Sequence, residues 1–508
     1  MNTASASQLF QSDRSLAVGQ ERAAKAQRTA HGAAFGAPIW LGSNSASPLP
    51  ASANASADGD AVPLDVSRIT AAAGGADGGA AKVLAACRSS VDSALLYTAE
   101  SGRVVRQVDL EAGRTERLLR GHTGPVSAAA ALVEPRSGRP LVFTGAWDKS
   151  IRVWAAEPLA QIGVVPDAAS DFIKALCAVP THRCLLSGGS DRTVRAWDIG
   201  ALLDWVAEQP GAAWPPQGAL GPTPALLGAF REHTRPVTCI AALPPAPDAE
   251  AVRRDAQHAP EPALSLFTAD SMGRVLQIHA ERTADAVRFS CVRELNGHET
   301  SVAALVAGWR SVDADAAGQD AGMDEQYVPE VWTASADKSV RRFSLAPSAE
   351  RPGAGATARR PHAGGMLGSK APVFSDVVLE HPEAATSVLP LTSSAYVPQL
   401  GEAGRWVLTG TAEGGVVVWA LEPDTDAPRR LNEAEGHWHE VTYVDLWRRA
   451  AGWHVVTAGL DGTVRRWALP DLVATQGGAE APVVAAKAAS TGADMTAEEE
   501  AELEELLE

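Results

Sequence analysis

Residues 141–154 read LVFTGAWDKSIRVW, and the chain repeats this phrase with variations. Residues 185–197 read LLSGGSDRTVRAW, residues 331–343 read VWTASADKSVRRF, and residues 455–467 read VVTAGLDGTVRRW. Each copy has an apolar strand, a turn of small residues containing Asp, and a second strand that ends in an aromatic residue. A fifth copy, WVLTGTAEGGVVVW at residues 406–419, has Glu in place of Asp. Such self-similarity predicts a repeat architecture, and short paired strands in every repeat predict the blades of a β-propeller.

A Gly-His pair, or its remnant, precedes most of the repeats. Together these features resemble the WD40 family, in which each four-stranded blade has Gly-His before its first strand and Trp-Asp near the end of its third. The resemblance covers roughly residues 66–473 and implies an all-β fold, a seven-bladed WD40-type β-propeller. It implies little about function, because function depends on the sites that a fold carries. The pairs are Gly121-His122, Glu232-His233, Gly297-His298, Glu380-His381 and Gly436-His437.

We divide the chain into three segments. Residues 1–62 are rich in Ala, Ser, Gly and Pro and are expected to be a disordered tail. Residues 63–473 are expected to form the seven-bladed propeller, followed by a linker and an acidic C-terminal segment over residues 474–508. The resembled family usually closes its ring with an N-terminal strand added to the last blade. Residues 66–72 are our candidate for that strand, and residues 481–486 are the competing candidate.

The resemblance also implies a hydrogen-bond relay inside the blades, from His through Ser or Thr and Asp to Trp. In this pattern, the Ser or Thr precedes the Asp by four residues and the Trp follows the Asp by six. Buried imidazole, carboxylate and indole groups each need a partner, and the relay provides one for all of them. The residues that match are His122, Thr144, Asp148 and Trp154 in blade 2; Ser187, Asp191 and Trp197 in blade 3; His298, Thr333 and Asp337 in blade 5; and His437, Thr457, Asp461 and Trp467 in blade 7.

Blades 1, 4 and 6 lack the Asp of the relay pattern. Blade 1 has Ser101 and Gln107 at the Asp and Trp positions. Blade 4 keeps His233 but has Met272 at the Asp position, and blade 6 has Glu413 there. A half-satisfied buried network is costly, so we expect each loss to be compensated locally.

The motifs of catalysis are missing from the sequence. Ser, His and Asp suggest a hydrolytic triad, but a triad would occur once, whereas this set recurs in several blades without a G-x-S-x-G sequence. There is also no P-loop, no H-E-x-x-H and no Cys/His metal spacing. We therefore expect no enzyme activity, no cofactor and no metal.

Charge and hydropathy restrict the partners. The formal net charge is −17 at pH 7, and binding to phosphates needs clustered Lys and Arg, so we expect no nucleic-acid partner. No apolar run would span a bilayer or form a secretory signal, so we expect no membrane association and an intracellular location, cytoplasmic and/or nuclear. The cationic residues 1–30 leave a mitochondrial transit peptide as an alternative, although Asp13 and Glu21 count against it. The five cysteines are scattered, which is typical of a reducing compartment.

Two surface regions are candidates for binding other proteins. Trp147 lies in the turn between the second and third strands of blade 2, where a large aromatic residue is typical of an interface hot spot. The alternative is that its ring packs on a neighbouring turn. Trp438 and His439 lie on the same rim, in the loop before blade 7.

The C-terminal segment is the second candidate region. A capping-box sequence at residues 496–499 precedes an apolar stripe, and residues 498–508 contain seven Glu. This pattern predicts a short acidic helix that is unstable alone and docks on a basic groove of this protein or of a partner; a solvated tail is the alternative. The stripe consists of Leu503, Leu506 and Leu507.

The repeats and the missing catalytic motifs favour a non-enzymatic scaffold or adaptor for protein partners. The alternative is a substrate-recognition or regulatory subunit of a ubiquitin-system complex.

Overall fold

The computed structural model describes residues 37–40 and most of residues 81–473. Residues 66–72, 481–486 and the C-terminal leucine stripe lie outside the described residues, as does nearly all of the segment 1–62. The gaps within 81–473 are residues 89–93, 157–158, 210–213, 215–219, 247–263, 284, 312–326, 346–372, 393–399, 401–403, 423–424 and 450–451.

Seven sheets form the blades, and in each blade four antiparallel strands follow one another from the inner to the outer edge. Blade 1 contains β2 (Val83–Arg88), β3 (Leu95–Glu100), β4 (Val104–Asp109) and β5 (Arg114–Arg120). Blade 2 contains β6 (Val126–Val133), β7 (Pro140–Ala146), β8 (Ile151–Ala156) and β9 (Leu159–Val165). Blade 3 contains β10 (Ile173–Val179), β11 (Cys184–Gly189), β12 (Val194–Asp198) and β13 (Ala225–Phe230). Blade 4 contains β14 (Val237–Ala242), β15 (Leu264–Asp270), β16 (Val275–Arg282) and β17 (Val287–Asn296), and a short parallel strand, β21 (Val373–Phe374), pairs with its outer edge.

The remaining three blades complete the ring. Blade 5 contains β18 (Val302–Ser311), β19 (Tyr327–Ser335), β20 (Ser339–Ser344) and β22 (Val377–Glu380). Blade 6 contains β23 (Ala385–Pro390), β24 (Trp406–Thr411), β25 (Gly415–Leu421) and β26 (Pro428–Glu435). Blade 7 contains β27 (Val441–Arg449), β28 (Gly452–Gly459), β29 (Thr463–Ala468) and β1 (Ala37–Trp40).

The innermost strands contact one another in order around the ring, and β27 of blade 7 contacts β2 of blade 1. This closure confirms the predicted seven-bladed, all-β propeller. The face with the connections between blades and the turns from second to third strands is called the top, and the opposite face is called the bottom. The second strand of a blade is buried on both sides; Leu141, Val142 and Phe143 of β7, for example, have no exposed surface. Each such side chain contributes roughly 1.5–3 kcal/mol through burial, so stacking of neighbouring blades stabilises the ring.

The strand that closes blade 7 is β1, which pairs antiparallel with β29 from Ala37 opposite Arg466 to Trp40 opposite Thr463. The closing strand therefore comes from the N-terminal side of the chain, but it is not the segment 66–72 that we predicted. An outermost strand pairs along one edge only, so four residues suffice, and Pro38 is tolerated because its missing N–H can lie on the unpaired side. The strand also falls inside the segment 1–62 that we assigned to the tail; the other domain boundaries stay predictions.

Two α-helices lie among the described residues. Helix α1 (Gly200–Glu208) follows the third strand of blade 3, and its side chains Leu202, Leu203 and Val206 pack into the apolar core between blades 2 and 3. Helix α2 (Leu469–Val473) follows β29 on the bottom of blade 7. A 3-10 turn (Pro180–His182) joins β10 to β11. In the part of the chain that the structure describes, no helix is both long and apolar enough to cross a membrane.

Candidate functional site

The relay in blade 2 links four side chains that come from three separate parts of the blade. His122 Nδ1 lies 2.9 Å from Asp148 Oδ2, and His122 Nε2 lies 2.9 Å from Thr144 Oγ1. A carboxylate only accepts, so Nδ1 donates to Asp148 and Nε2 accepts from the Thr144 hydroxyl. The Trp154 indole N–H donates to the same Thr144 oxygen at 2.9 Å. Imidazole, hydroxyl, carboxylate and indole are thus all satisfied within one blade.

Blade 7 repeats this arrangement. His437 lies 2.9 Å from an Asp461 carboxylate oxygen and 2.7 Å from Thr457 Oγ1, and Trp467 donates to Thr457 at 3.0 Å. The Thr463 hydroxyl donates to Asp461 at 2.8 Å. The relay connects the loop before the blade to its second and third strands, so it fixes the top of the blade that closes the ring.

In blade 2, the surroundings of the relay favour a charged Asp148 carboxylate and a neutral His122 imidazole. Burial raises the pKa of Asp148, but hydrogen bonds from Ser150 and Thr123 and the nearby His122 outweigh it and bring the pKa to about 2. Burial lowers the pKa of His122 more than Asp148 raises it. In blade 7, burial raises the pKa of Asp461, and His437 with other donors lowers it below its usual value.

Blade 5 keeps all of the relay except its last member. His298 lies 2.7 Å from Asp337 and 2.6 Å from Thr333 Oγ1. Phe343 occupies the position of the Trp and has no N–H to donate. The Thr333 hydroxyl lies within 3.4 Å of the Arg341 carbonyl oxygen.

Blade 3 has no His, and Ser170 takes its place. The Ser170 N–H and hydroxyl donate to Asp191 at 3.0 and 3.1 Å, and Arg195 pairs with the same carboxylate at 2.8 Å. Trp197 donates to Ser187 at 2.9 Å. The three predicted residues are therefore split: Asp191 bonds to Ser170 and Arg195, and Trp197 bonds to Ser187.

Blade 4 holds a carboxylate that the sequence analysis missed. Asp270 lies 3.3 Å from His233 Nδ1, and Thr268 Oγ1 lies 2.7 Å from His233 Nε2. The expectation that Met272 replaces the acid was wrong, because the Asp stands two residues after the Thr instead of four. The signal was present as Thr-Ala-Asp at residues 268–270.

Blade 1 replaces the relay by a buried ion pair. Arg106 donates to both carboxylate oxygens of Glu100, at 2.7 and 3.2 Å, and the Thr98 hydroxyl donates to Glu100 at 3.1 Å. Gln107, at the Trp position, donates to the Ala156 carbonyl oxygen at 3.3 Å. The buried carboxylate is thus compensated within blade 1, and the side chain at the Trp position bonds to a carbonyl oxygen of blade 2.

Blade 6 has a buried histidine without a hydrogen bond. His381 is 6% exposed, and neither ring nitrogen has a partner among the described residues. Glu413, at the Asp position, does not bond to it; the ring instead meets Trp419 edge-on with centroids 5.1 Å apart. Burial, with a contribution from Arg430, lowers the pKa of His381 to about 4.

The top rim carries an aromatic pair. Trp147 is 42% exposed and stacks on Phe172, which is 37% exposed, with ring centroids 4.8 Å apart and planes at 14°. Trp147 is therefore both exposed and packed on a neighbouring turn. The backbone of Gly124 lies close to the backbone of the turn that contains Trp147. A Cβ atom at position 124 would lie only 2.8 Å from the Asp148 backbone nitrogen, so a side chain would not fit there. Sequence analysis missed Phe172. The feature that could have identified it is the position of an aromatic residue directly before the first strand of a blade.

Positive charges lie on the same rim. Arg192, Arg235 and Lys338 are exposed, and Lys149 is half-buried. Lys149, Arg192 and Lys338 have left-handed backbone conformations at the turn position where other blades have glycine.

Trp438 and His439 are half-buried on this face, and the backbone N–H of Trp438 donates to the Asp461 carboxylate at 3.2 Å. Their role in binding stays a prediction.

Cys87, Cys177 and Cys239 are not activated nucleophiles. Burial raises the pKa of Cys87 and Cys239 to about 12 and that of Cys177 to about 11, so these thiols stay protonated at neutral pH. Within the described ranges, no group of three or more His, Cys, Asp or Glu side chains is placed to hold a metal ion.

Comparisons with known proteins agree with this geometry. The WD40 family model, described as WD domain, G-beta repeat, matches residues 113–155 and 161–198, which span the end of blade 1 and blades 2 and 3. The chain is also 23% identical over 416 residues to an uncharacterized WD repeat-containing protein of Schizosaccharomyces pombe, covering 81% of this chain and 84% of that protein. With seven blades around a closed ring and the relay geometry in several of them, the chain is a WD-repeat β-propeller protein.

Proposed function

We propose that this propeller is a non-enzymatic scaffold that holds a protein partner on its top face, at Trp147 and Phe172. The WD-repeat propeller fold implies a protein-interaction scaffold, and the stacked, half-exposed aromatic pair supports this particular face. Stacking restrains both rings before a partner arrives, which reduces the entropy lost on binding. Lys149 and Arg192 lie on the turns of the same two blades, so an apolar partner segment with acidic neighbours fits the site best.

Replacing Trp147 by Ala should weaken the partner interaction more than it weakens the fold. A central aromatic anchor is worth about 2 kcal/mol or more, which corresponds to roughly a 30-fold loss of affinity. The measurement is co-precipitation from cell extract at matched expression, followed by titration of the recovered partner. The control is Phe374→Ala, which removes a ring that is 59% exposed on the outer edge of blade 4 and should retain all partners. Unchanged partners for Trp147→Ala, or a large fall of its melting temperature, would contradict the proposal.

A role in a ubiquitin-system complex stays the alternative prediction. None of the described residues favours it over a general scaffold. The same co-precipitation distinguishes the two, because the alternative requires a ubiquitin ligase component among the recovered proteins.

A further inference from the structure

Basic side chains gather at the top ends of blades 1 to 4. They come from the turns between second and third strands, from the loops between blades and from the strand residues next to them. Lys149 is half-buried and the others are exposed. Among the residues that the structure describes, none of these side chains forms an ion pair. The members of this set, which we call the basic arc, are Lys82, Arg103, Arg120, Lys149, Lys174, Arg192, Arg231 and Arg235.

Backbone contacts join the part of the basic arc that lies on blades 1 and 2. The residue after Arg103 pairs with Arg120 at the top end of β5. Three residues further on, the N–H of Thr123 donates to Asp148 at 2.8 Å, directly before Lys149. The three basic residues therefore lie on connected segments of the same rim.

Blades 3 and 4 continue the basic arc beyond the aromatic pair. The Phe172 carbonyl oxygen accepts from a backbone N–H of the turn that carries Arg192, at 2.9 Å. The carbonyl oxygen of the residue after Arg235 accepts from a backbone N–H of the turn that carries Met272, at 3.0 Å. Met272 is 55% exposed, so it adds apolar surface to the same rim.

Few carboxylates compensate the basic arc. Acidic residues in the loops before blades 3 and 4 are Asp167, Asp171 and Glu232. The carboxylates in the turns and at the ends of the second strands pair within their own blades; they are Glu100, Asp148, Asp191 and Asp270. The top of blades 1 to 4 is therefore positive, although the whole chain has a net charge of −17.

The top of blades 5 to 7 has the opposite charge. Among the described turns and loops there, Lys338 is the one exposed basic residue. Exposed acidic residues at this end of the three blades are Glu299, Glu380, Glu413 and Glu435. An acidic ligand is therefore attracted to one side of the top face and repelled from the other.

The basic turns of blades 1 to 3 have a backbone conformation that favours glycine. Arg103, Lys149 and Arg192 have φ angles of 65°, 68° and 63°, as does Lys338 of blade 5 at 69°. A left-handed conformation costs roughly 1–2 kcal/mol for a residue with a Cβ atom. The charge is thus present where an uncharged glycine would relieve the backbone, which supports a role in binding. The other blades have Gly273, Gly414 and Gly462 at this position.

We propose that the top of blades 1 to 4 binds an acidic segment of a partner protein. Apolar side chains of the segment contact Trp147, Phe172 and Met272, and its carboxylates face the basic arc. The glutamates of blades 5 to 7 disfavour the same segment there. This inference rests on the proposed function, since it uses the same aromatic pair, and it adds the charge of the partner segment and the blades that the segment covers.

An acidic peptide fits this surface better than a nucleic acid does. Phosphate binding needs clustered Lys and Arg along the whole contact, whereas the basic arc ends at blade 4 and the chain is acidic as a whole. The experiment below therefore includes a nucleic acid as the competing ligand.

Binding of synthetic probes to the full chain tests the charge preference. The probes are a short fluorescein-labelled peptide that alternates Glu with Leu and Phe, a matched peptide with Lys in place of Glu, and a labelled single-stranded oligothymidylate. In fluorescence anisotropy at low salt, the acidic peptide should bind roughly tenfold more tightly than the Lys peptide. An acidic chain that bound by its overall charge would prefer the Lys peptide. The preference should largely disappear at about 1 M NaCl, where the Debye length is about 3 Å.

Charge reversal locates the site. Arg192→Glu combined with Arg235→Glu should weaken binding of the acidic peptide roughly tenfold. The matched control is Arg117→Glu combined with Arg288→Glu, which makes the same change of net charge at exposed positions on the outer edges of blades 1 and 4. The control should keep the Kd within about twofold, because these positions are far from the top rim and are screened. Melting temperatures show that the ring is intact in both variants.

Three results would overturn the inference. An acidic peptide that binds no more tightly than the Lys peptide, or that is unaffected by the reversal at positions 192 and 235, shows that the basic arc does not select the partner. If Trp147→Ala then weakens both peptides, the proposed function still stands; if it weakens neither and also keeps its partners in the co-precipitation, both proposals fail. Tighter binding of the oligothymidylate than of the acidic peptide would make the basic arc a nucleic-acid site.

Discussion

At the scale of single residues, one hydrogen-bonding requirement is met in different ways around the ring. Asp148 and Asp461 stand in the turn after the second strand, whereas Asp270 reaches the same type of histidine from the end of the strand itself. In blade 1, Arg106 donates hydrogen bonds to the buried Glu100 carboxylate. What is maintained in these blades is the pairing of buried polar groups and not the identity of each residue, because an unpaired buried group costs roughly 1–3 kcal/mol.

Asp461→Ala should destabilise the fold without affecting the proposed partner surface at Trp147 and Phe172. Asp461 is buried and accepts from His437 and from the backbone and hydroxyl of Thr463, so its loss leaves several donors unpaired. We expect the free energy of unfolding to fall by roughly 2–4 kcal/mol, measured by denaturant titration. The control is Asp191→Ala in blade 3, where no histidine depends on the carboxylate and the loss should be smaller. Equal losses in the two variants, or lost binding with unchanged stability, would show that the relay is not the structural element we describe.

At the scale of secondary-structure elements, the ring depends on a strand that has almost no sequence signal. β1 has four residues, one of them Pro38, and it pairs only with β29. Residues 66–72 have the better β-propensity, but propensity does not decide which segment pairs at an outer edge. The pairing with β29, from Ala37 opposite Arg466 to Trp40 opposite Thr463, identifies the closing strand.

Deletion of residues 1–36 should leave the propeller folded, whereas deletion of residues 1–45 should destabilise it. The longer deletion removes β1 and its ladder of hydrogen bonds, each worth roughly 0.5–1.5 kcal/mol, and exposes the edge of β29 to aggregation. Circular dichroism on heating and size-exclusion chromatography give the comparison. If the two shortened chains melt at the same temperature, β1 does not hold blade 7 closed.

At the scale of the whole molecule, stability should depend on pH through two sets of buried groups. The pKa values of Asp148, Asp270, Asp337 and Asp461 are lowered on folding, so their contribution is present above about pH 4 and is lost at lower pH as these groups are protonated. His381 affects the stability of the fold at higher pH. Its pKa falls from 6.5 to about 4, so the folded state disfavours the protonated ring, and stability is lost as the pH falls from 6.5 towards 4.

His381→Leu should remove the second of these effects. Between pH 7 and pH 5, the free energy of unfolding of the native chain should fall by about 2 kcal/mol more than that of the variant. Denaturant titrations at the two pH values measure the difference. His381→Gln is the matched control for polarity: it cannot titrate either, so it should show the same flattened pH dependence. A native chain and variants with equal slopes would mean that His381 is not a neutral, unpaired ring in the folded state.

The sequence by itself determined the fold, because each repeat carries its own strand pattern, turn and relay residues within about forty positions, and local signals of this kind recur often enough to identify a ring of seven blades. It also determined which side chains meet in blades 2 and 7, since their spacing matches a common pattern. Only the tertiary structure decided the contacts between parts distant in the chain. The pairing of β1 with β29, the reach of Asp270 to His233, the isolation of His381 and the stacking of Trp147 on Phe172 all depend on how backbones from separate segments are placed. The closed ring brings β1 to β29 and Trp147 to Phe172, whereas the local backbone of blades 4 and 6 decides the positions of Asp270 and His381, so the common spacing of the relay does not predict these four arrangements.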